Sequence, residues 1–357
     1  MKRMYYIFTP GKLKRKENTV FYVPFKYVEA QDDENLQNDI LLSIDSDTEE
    51  TLPSSKMVIP VQDIDSFYIM TEASFNTKFL DFCSANRIPV HFFNYYGFYT
   101  GTFYPKEYLV SGSLLVNQVK HYSNKNKRLE IATKFVEGAA FNLNKNLKYY
   151  NKRNRDLQAQ IDTIEGFMPD IPNVGSVEEL MGIEGNIRKV YYTAFEEILG
   201  NEFELISRKY NPPTNPLNAL ISYSNMMVYT TVLSEIYRTQ LNPTISFLHE
   251  PGERRFSLSL DIAEIFKPLL ADRIIFKMLN NHQLHTNDFE SKLNGCYLKE
   301  KGRKEFIKEY DEKLKTTIKH RKLNKEVTYR RIIRLECYKL IKHLIGDTEY
   351  EPFKIWW

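Results

Sequence analysis

The pattern of apolar residues changes at PKEYLVS, residues 105–111, and that change limits the fold more than any other feature of the chain. Before it the sequence reads as short β-rich runs. Met4–Phe8 and Val20–Val23 flank the charged turn GKLKRKEN, and Met57–Val61 and Phe67–Met70 follow. One helix interrupts them. In SFNTKFLDFCSANR, Ser74 is placed to cap, and Phe75, Phe79, Phe82 and Cys83 fall at i, i+4, i+7 and i+8 on one face. The aromatic runs IPVHFFNYY and GFYTGTFY come next, with Gly97 at the turn. Beyond the break, Leu129, Ala132, Val136, Ala140, Leu143 and Leu147 recur at spacings of three and four, as on an amphipathic helix. Strands followed by helices predict an α+β protein. We expect a small, mainly antiparallel β domain over 1–104, a linker at 105–111 and a larger all-α domain over 112–357.

With 357 residues, 42% of them hydrophobic, the chain has ample material for two cores. A net charge of +3 is too small to imply a nucleic-acid partner unless it is clustered, and it is clustered. Residues 30–56 carry eight acids and one Lys, which reads as an acidic surface insertion in the β domain. Residues 292–342 carry 17 Lys or Arg against 7 acids, a balance of +10. Within them, KEKGRKEFIKEYDEK alternates sign like a solvated helix face. TTIKHRKLNK and YRRIIRLECYKLIKHLI read as a surface for backbone phosphates. Cys83, Cys296 and Cys337 are far apart and form no CxxC, so neither a zinc site nor a disulfide framework is expected. No stretch resembles a signal peptide or a run of 18 apolar residues, so a soluble cytoplasmic protein with no membrane span is expected. The terminal EPFKIWW is expected to pack on its own domain.

Two helices in the second half have legible starts. Ser176 stands three residues before Glu179, a capping-box spacing, at the head of VEELMGIEGNIRKVYYTAFEEIL. Gly182 and Gly185 predict a break or tight packing near Glu184. NPPTNP excludes helix, and Asn215 with Pro216 then reads as N-cap and first helical residue.

Four residues carry the chemistry: Glu184, His249, Asp261 and Glu264. Each has a structural reading on its own. Glu184 is spaced to pair with Arg188, His249 ends the apolar run ISFL, and Asp261 is placed to cap the helix that it opens, with Glu264 one turn on. Together, carboxylates with one imidazole make a hard ligand set that suits manganese or magnesium better than zinc. Such an ion polarises a phosphodiester. No GxxxxGK[ST], HExxH or nucleophile elbow is present, so ATP hydrolysis and zinc-protease chemistry are not expected.

MGIEGNIRKVYY, NPLNALISYSNMMVY, LNPTISFLHEPGERRFSLSLDIAEIFKPLLAD and GCYLKEKGRKEFIKEY together resemble the CRISPR-associated integrase-nuclease of spacer acquisition, CRISPR-associated protein one. The opening MKRMYYIFTPGKLKRKENT, with VHFFNYYGFYTGTFYP, looks like the branch found with type I-B systems. The resemblance implies a dimerising β domain and a helical catalytic domain with one Mn2+ or Mg2+ on Glu184, His249 and Glu264, and Asp261 as a close neighbour. Glu rather than Asp stands at 264. The implied reaction is transesterification, in which prespacer 3′ ends join the leader–repeat of a CRISPR array. The implied partners are double-stranded DNA, a second copy of the chain and the small CRISPR-associated protein two, in a complex of four copies to two. A stand-alone nuclease cutting branched or single-stranded DNA is the alternative, and a non-catalytic DNA-binding scaffold a third reading. Lys189, Arg254 and Arg255, with Asn218 behind them, are the candidate DNA contacts.

Overall fold

The computed structural model describes residues 2–25, 57–200, 202–205, 207–209, 212–252, 256–292, 295–321 and 323–356. The acidic insertion at 30–56 and the candidate contacts Arg254 and Arg255 lie outside the described residues. The chain divides into two units, Met1–Lys106 and Glu107–Trp357. The first is β-rich and the second helical, so the α+β class holds.

In the first unit, β1 (Arg3–Ile7), β2 (Gly11–Lys16), β3 (Thr19–Pro24), β4 (Met57–Pro60), β5 (Ile64–Ile69), β6 (Ala73–Phe75), β7 (Val90–Phe93) and β8 (Tyr99–Phe103) form two sheets. Their strand orders are β1-β5-β7-β8 and β4-β3-β2-β6. The expectation of mainly antiparallel pairing is corrected. The pairs β1–β5, β5–β7 and β2–β6 are parallel, whereas β2–β3, β3–β4 and β7–β8 are antiparallel. The cause is a crossover. Helix α1 (Thr77–Ala85) returns the chain so that β7 runs beside β5 in the same direction. All six residues of β5 are buried, as in a strand covered on both faces. The cap of α1 is Asn76 rather than Ser74, and its side chain accepts the Phe79 N–H at 3.2 Å. Phe79, Phe82 and Cys83 pack with Leu13, Val20, Phe67 and Val90 into one core.

The second unit contains α2 (Gly112–Ser123), α3 (Lys125–Asn151), α4 (Gln158–Phe167), α5 (Val177–Leu199), α6 (Pro216–Ile236), α7 (Ser257–Lys267), α8 (Arg273–Asn280), α9 (Glu300–Lys315) and α10 (Tyr329–Leu344). Helix α6 is its axis, buried on every side from Leu217 to Ile236, the pattern of a helix apolar all round. It starts as expected, with the Asn215 side chain accepting the Asn218 N–H at 2.8 Å and Pro216 in the first turn. Helix α3 packs against α5 and α7, and α6 against α7 and α10. The all-α expectation is corrected by two hairpins, β9 (Phe289–Lys292) with β10 (Gly295–Leu298) and β11 (Thr317–His320) with β12 (Lys325–Thr328). In the second hairpin, Thr317 faces Thr328 and Ile318 faces Val327, and cross-strand β-branched pairs favour a sheet over helix.

Two straps lock α7 from behind. Asn142 on α3 donates to Ile265 O (3.0 Å) and Phe353 O (3.1 Å) and accepts from Ile355 N (2.9 Å). The C-terminal tail therefore packs on its own unit, with the Phe353 ring stacked on Phe266 at 5.8 Å. The approach needs a glycine, since a Cβ on Gly138 would stand 2.7 Å from Pro352 Cβ. Asn146, one turn further along α3, donates to Pro268 O at 2.6 Å. It thereby supports a π-helical turn, Pro268–Asp272, between α7 and α8. All three cysteines are buried and unpaired. Among the described residues no helix is long and apolar enough to cross a membrane.

Candidate active site

Helix α5 begins at Ser176, whose hydroxyl accepts the Glu179 N–H at 3.2 Å, while Glu179 reaches back to the Gly175 N–H at 2.8 Å. The helix then runs without a break to Leu199. The expected disturbance at Gly182 and Gly185 is absent, because both face open space. Ile187, Tyr191, Ala194 and Ile198 are buried. Glu184 sits one turn before Ile187 at the margin of that stripe, with a side chain 21% exposed.

Asp261 does not cap its own helix. Helix α7 starts at Ser257, so Asp261 falls on its second turn, fully buried. There it caps the preceding loop. Oδ2 accepts the Phe247 N–H (2.6 Å) and the Leu248 N–H (3.0 Å); Oδ1 accepts the His249 N–H (3.0 Å) and lies 2.8 Å from His249 Nδ1. The apolar run before His249 is thus a turn folded on a carboxylate rather than a strand, and Phe247 and Leu248 are its buried anchor. With all four contacts turned inward, Asp261 orients the imidazole and leaves Nε2 as its outer nitrogen.

Glu264, one turn after Asp261, has a side chain 7% exposed. Its carboxylate and that of Glu184 converge on one cation. Arg188 donates from Nε to Glu184 and from Nη2 to Glu264, and Lys267 donates to the other Glu264 oxygen. Burial pushes the Glu184 carboxyl upward, but Arg188 outweighs it and, with Lys267 and His249, holds the group below its ordinary value. Burial and the Arg188 charge push Lys267 down to about 8. Asp272, placed by the π turn, is pushed up to about 6 by burial, against the pull of Arg188 and a hydrogen bond with Tyr191. Two carboxylates, one imidazole within electrostatic reach and a cation held between them form a compact charge cluster.

Among the described residues no group of three or more His, Cys, Asp or Glu is already arranged as a metal cage. The donor chemistry nevertheless fits a divalent ion. Two carboxylates already converge on a single positive charge, and an imidazole pinned through Nδ1 offers the remaining nitrogen. Arg188 stands between the two carboxylates. Spacing exposes its pairing with Glu184, but its contact with Glu264, 76 positions away, leaves no trace in the sequence.

Of the candidate DNA contacts, Lys189 is exposed on α5. Asn218 is corrected. It is fully buried; its oxygen accepts from Arg208 and Lys209 N, both at 2.9 Å, and its amide donates to Ser207 O at 2.9 Å. It holds the loop before α6 and has no face left for a phosphate. Part of the basic C-terminal segment is also turned inward, because Arg330 and Arg334 both bind the buried Glu235 on α6.

The model of the family described as CRISPR associated protein Cas1 matches residues 5–312. The chain belongs to this family. The CRISPR-associated endonuclease Cas1 of Fusobacterium nucleatum is 48% identical over 357 residues, which cover 100% of this chain and 98% of that Cas1. A Cas1 protein from Thermotoga maritima has the same fold, with a TM-score of 0.83 and 36% identity over 98% of this chain and 100% of its own. A casposase bound to integration product shares the fold at a TM-score of 0.80 and 20% identity, over 99% of this chain and 93% of its own. Membership of the Cas1 family, reached from the EG helix, the NAL helix and the FLH and LDIAE segments, is therefore established.

Proposed function

We propose that this Cas1 chain is the metal-dependent endonuclease and integrase of CRISPR spacer acquisition. The observation that carries the reading is the convergence of Glu184 and Glu264 on one cationic centre beside a histidine held by Asp261. Glu184, His249 and Glu264 would hold Mn2+ or Mg2+, which supplies Lewis-acid polarisation of a phosphodiester. Asp261 fixes the His249 ring, so that Nε2 stands ready as ligand or proton acceptor. Lys267 and Arg188 add positive charge where the phosphate oxygens gather. In the exchange, a prespacer 3′-oxygen bonds to phosphorus at the leader–repeat junction, the phosphorus stays on the repeat's 5′-oxygen, and the leader's 3′-oxygen leaves with the proton. One phosphodiester replaces another, so no external energy source is needed.

The protein works on double-stranded prespacer and repeat DNA as a homodimer, and with the small CRISPR-associated protein two as four copies to two, in a type I-B setting. The test uses a labelled duplex with 3′ overhangs and a supercoiled leader–repeat plasmid, with and without the small partner. Joining is expected to require the partner and Mn2+ or Mg2+, and to be lost in Glu184→Ala, His249→Ala and Glu264→Ala while each remains folded. Metal-dependent cutting of branched DNA without joining would replace the integrase reading with that of a stand-alone nuclease.

A further inference from the structure

Apart from the carboxylate cluster, the helical unit contains a cavity of about 460 Å3 between the end of α3, one face of α8 and the last turns of α9. Its walls are aromatic and cationic. Arg153, Arg273, Lys277 and Lys313 line it, against Glu309 and Glu312. Four cations less two carboxylates leave two positive charges. Glu309 is already bonded to Lys277 and Gln283. The guanidinium groups of Arg153 and Arg273 lie 3.7 and 4.4 Å from the Tyr149 ring centroid, and the Lys313 ammonium lies 4.2 Å from that of Tyr329. Cations near helix C-termini are common, and that preference covers Arg153 and Lys313 separately. It does not explain why Lys313 is packed beside two further cations. Burial first, and then the charges of Arg273 and Lys277, push its pKa down to about 8.

We propose that this cavity binds a phosphate monoester, carried by a nucleic-acid strand end or by a free mononucleotide. A monoester brings close to two negative charges at neutral pH, which the excess of two cations balances; a backbone phosphodiester brings one. The Tyr149 ring is taken up in holding the two guanidinium groups, and Tyr150 supplies the aromatic wall for the attached nucleoside. The volume lies in the range of small-ligand sites.

The test uses the full chain in EDTA, so that no divalent ion contributes. A short single strand, fluorescently labelled at its 3′ end, is compared by anisotropy with and without a 5′-phosphate. The phosphorylated strand is expected to bind about tenfold tighter or better, a difference of about 1.4 kcal/mol. Arg153→Glu, at an exposed position, and Lys313→Met are expected to abolish that preference and leave the far-ultraviolet spectrum unchanged. Competition by AMP in the wild type identifies a free nucleotide as a ligand, and its failure confines the site to strand ends. Equal binding of the two strands, or a preference that survives Arg153→Glu, overturns the proposal.

Discussion

Asp261 is the residue through which the site can be tested most cleanly, because its two roles respond differently to two substitutions. It is fully buried and receives three backbone N–H groups as well as His249 Nδ1. Asp261→Ala orphans three amides in the interior. At about 1 kcal/mol for each orphaned group, the lower end of the usual range, the cost is about 3 kcal/mol. For a unit of this size that corresponds to a fall of roughly 6 °C or more in Tm. Asp261→Asn keeps an oxygen for Phe247 and Leu248 but turns an NH2 toward His249. The imidazole must then accept at Nδ1 and carry its proton on Nε2, the atom that the proposed function requires to be free for the ion or the substrate proton. The asparagine variant is therefore expected to fold within about 1–2 kcal/mol of wild type and to lose roughly 10- to 100-fold in Mn2+ affinity. Urea titration reads the first effect and calorimetric Mn2+ titration the second. An alanine variant as stable as wild type would refute the loop-capping argument. Wild-type Mn2+ affinity in the asparagine variant would refute the tautomer argument.

Four further outcomes follow from other contacts. Arg188→Gln removes the cation between Glu184 and Glu264, so the metal-free protein should melt lower while Mn2+ raises its Tm by more than it raises that of wild type, read by thermal scans across a Mn2+ series. Glu235→Ala leaves Arg330 and Arg334 around an emptied buried position and should cost about 3–5 kcal/mol in urea unfolding. Burial raises the Glu235 pKa, but Arg330, Arg238 and Arg334 bring it below its ordinary value. Its contribution is therefore complete above the usual carboxylate range and disappears as the pH falls through the lowered value, so wild type should lose stability on acidification more steeply than Glu235→Gln. Gly138→Ala drives a methyl onto Pro352 and should cost about 1–3 kcal/mol in the same unfolding assay.

The parts of the fold that were legible in the sequence are those governed by neighbours in the chain. The Asn215 cap, the Ser176 and Glu179 start of α5 and the apolar stripe of α3 follow from spacings of three and four, which fix which side chains share a face. The parts that were not legible depend on partners distant in the chain. No local pattern says that β7 runs parallel to β5, because direction is set by the crossover and not by the strand. Gly182 and Gly185 read as a weak point from propensity, yet tertiary packing on the opposite face keeps the helix whole. Asn142 and Asn146 look like ordinary polar residues of a helix, although buried amides there hold α7, the tail and the π turn.

The candidate site shows the same division. Glu184 with Arg188, and Glu264 with Lys267, are one-turn pairs visible in the sequence. Taken separately, each is an ordinary helical ion pair that would call for no function. What turns two such pairs into a site is that Arg188 also reaches Glu264, so that α5 and α7 present their carboxylates to one point. Asp261 then explains why His249 belongs there, since a buried carboxylate receiving three amides and an imidazole nitrogen fixes both the loop and the ring it carries. A charge arrangement this dense is costly to bury, and replacing buried ion pairs by apolar residues of like volume is often neutral or stabilising. Stability alone would therefore not favour keeping Glu184, Arg188, Glu264 and Lys267 together. A reaction in which a phosphodiester must be neutralised and exchanged would, and that asymmetry is the physical argument for placing the chemistry of this Cas1 chain at the meeting of α5 and α7.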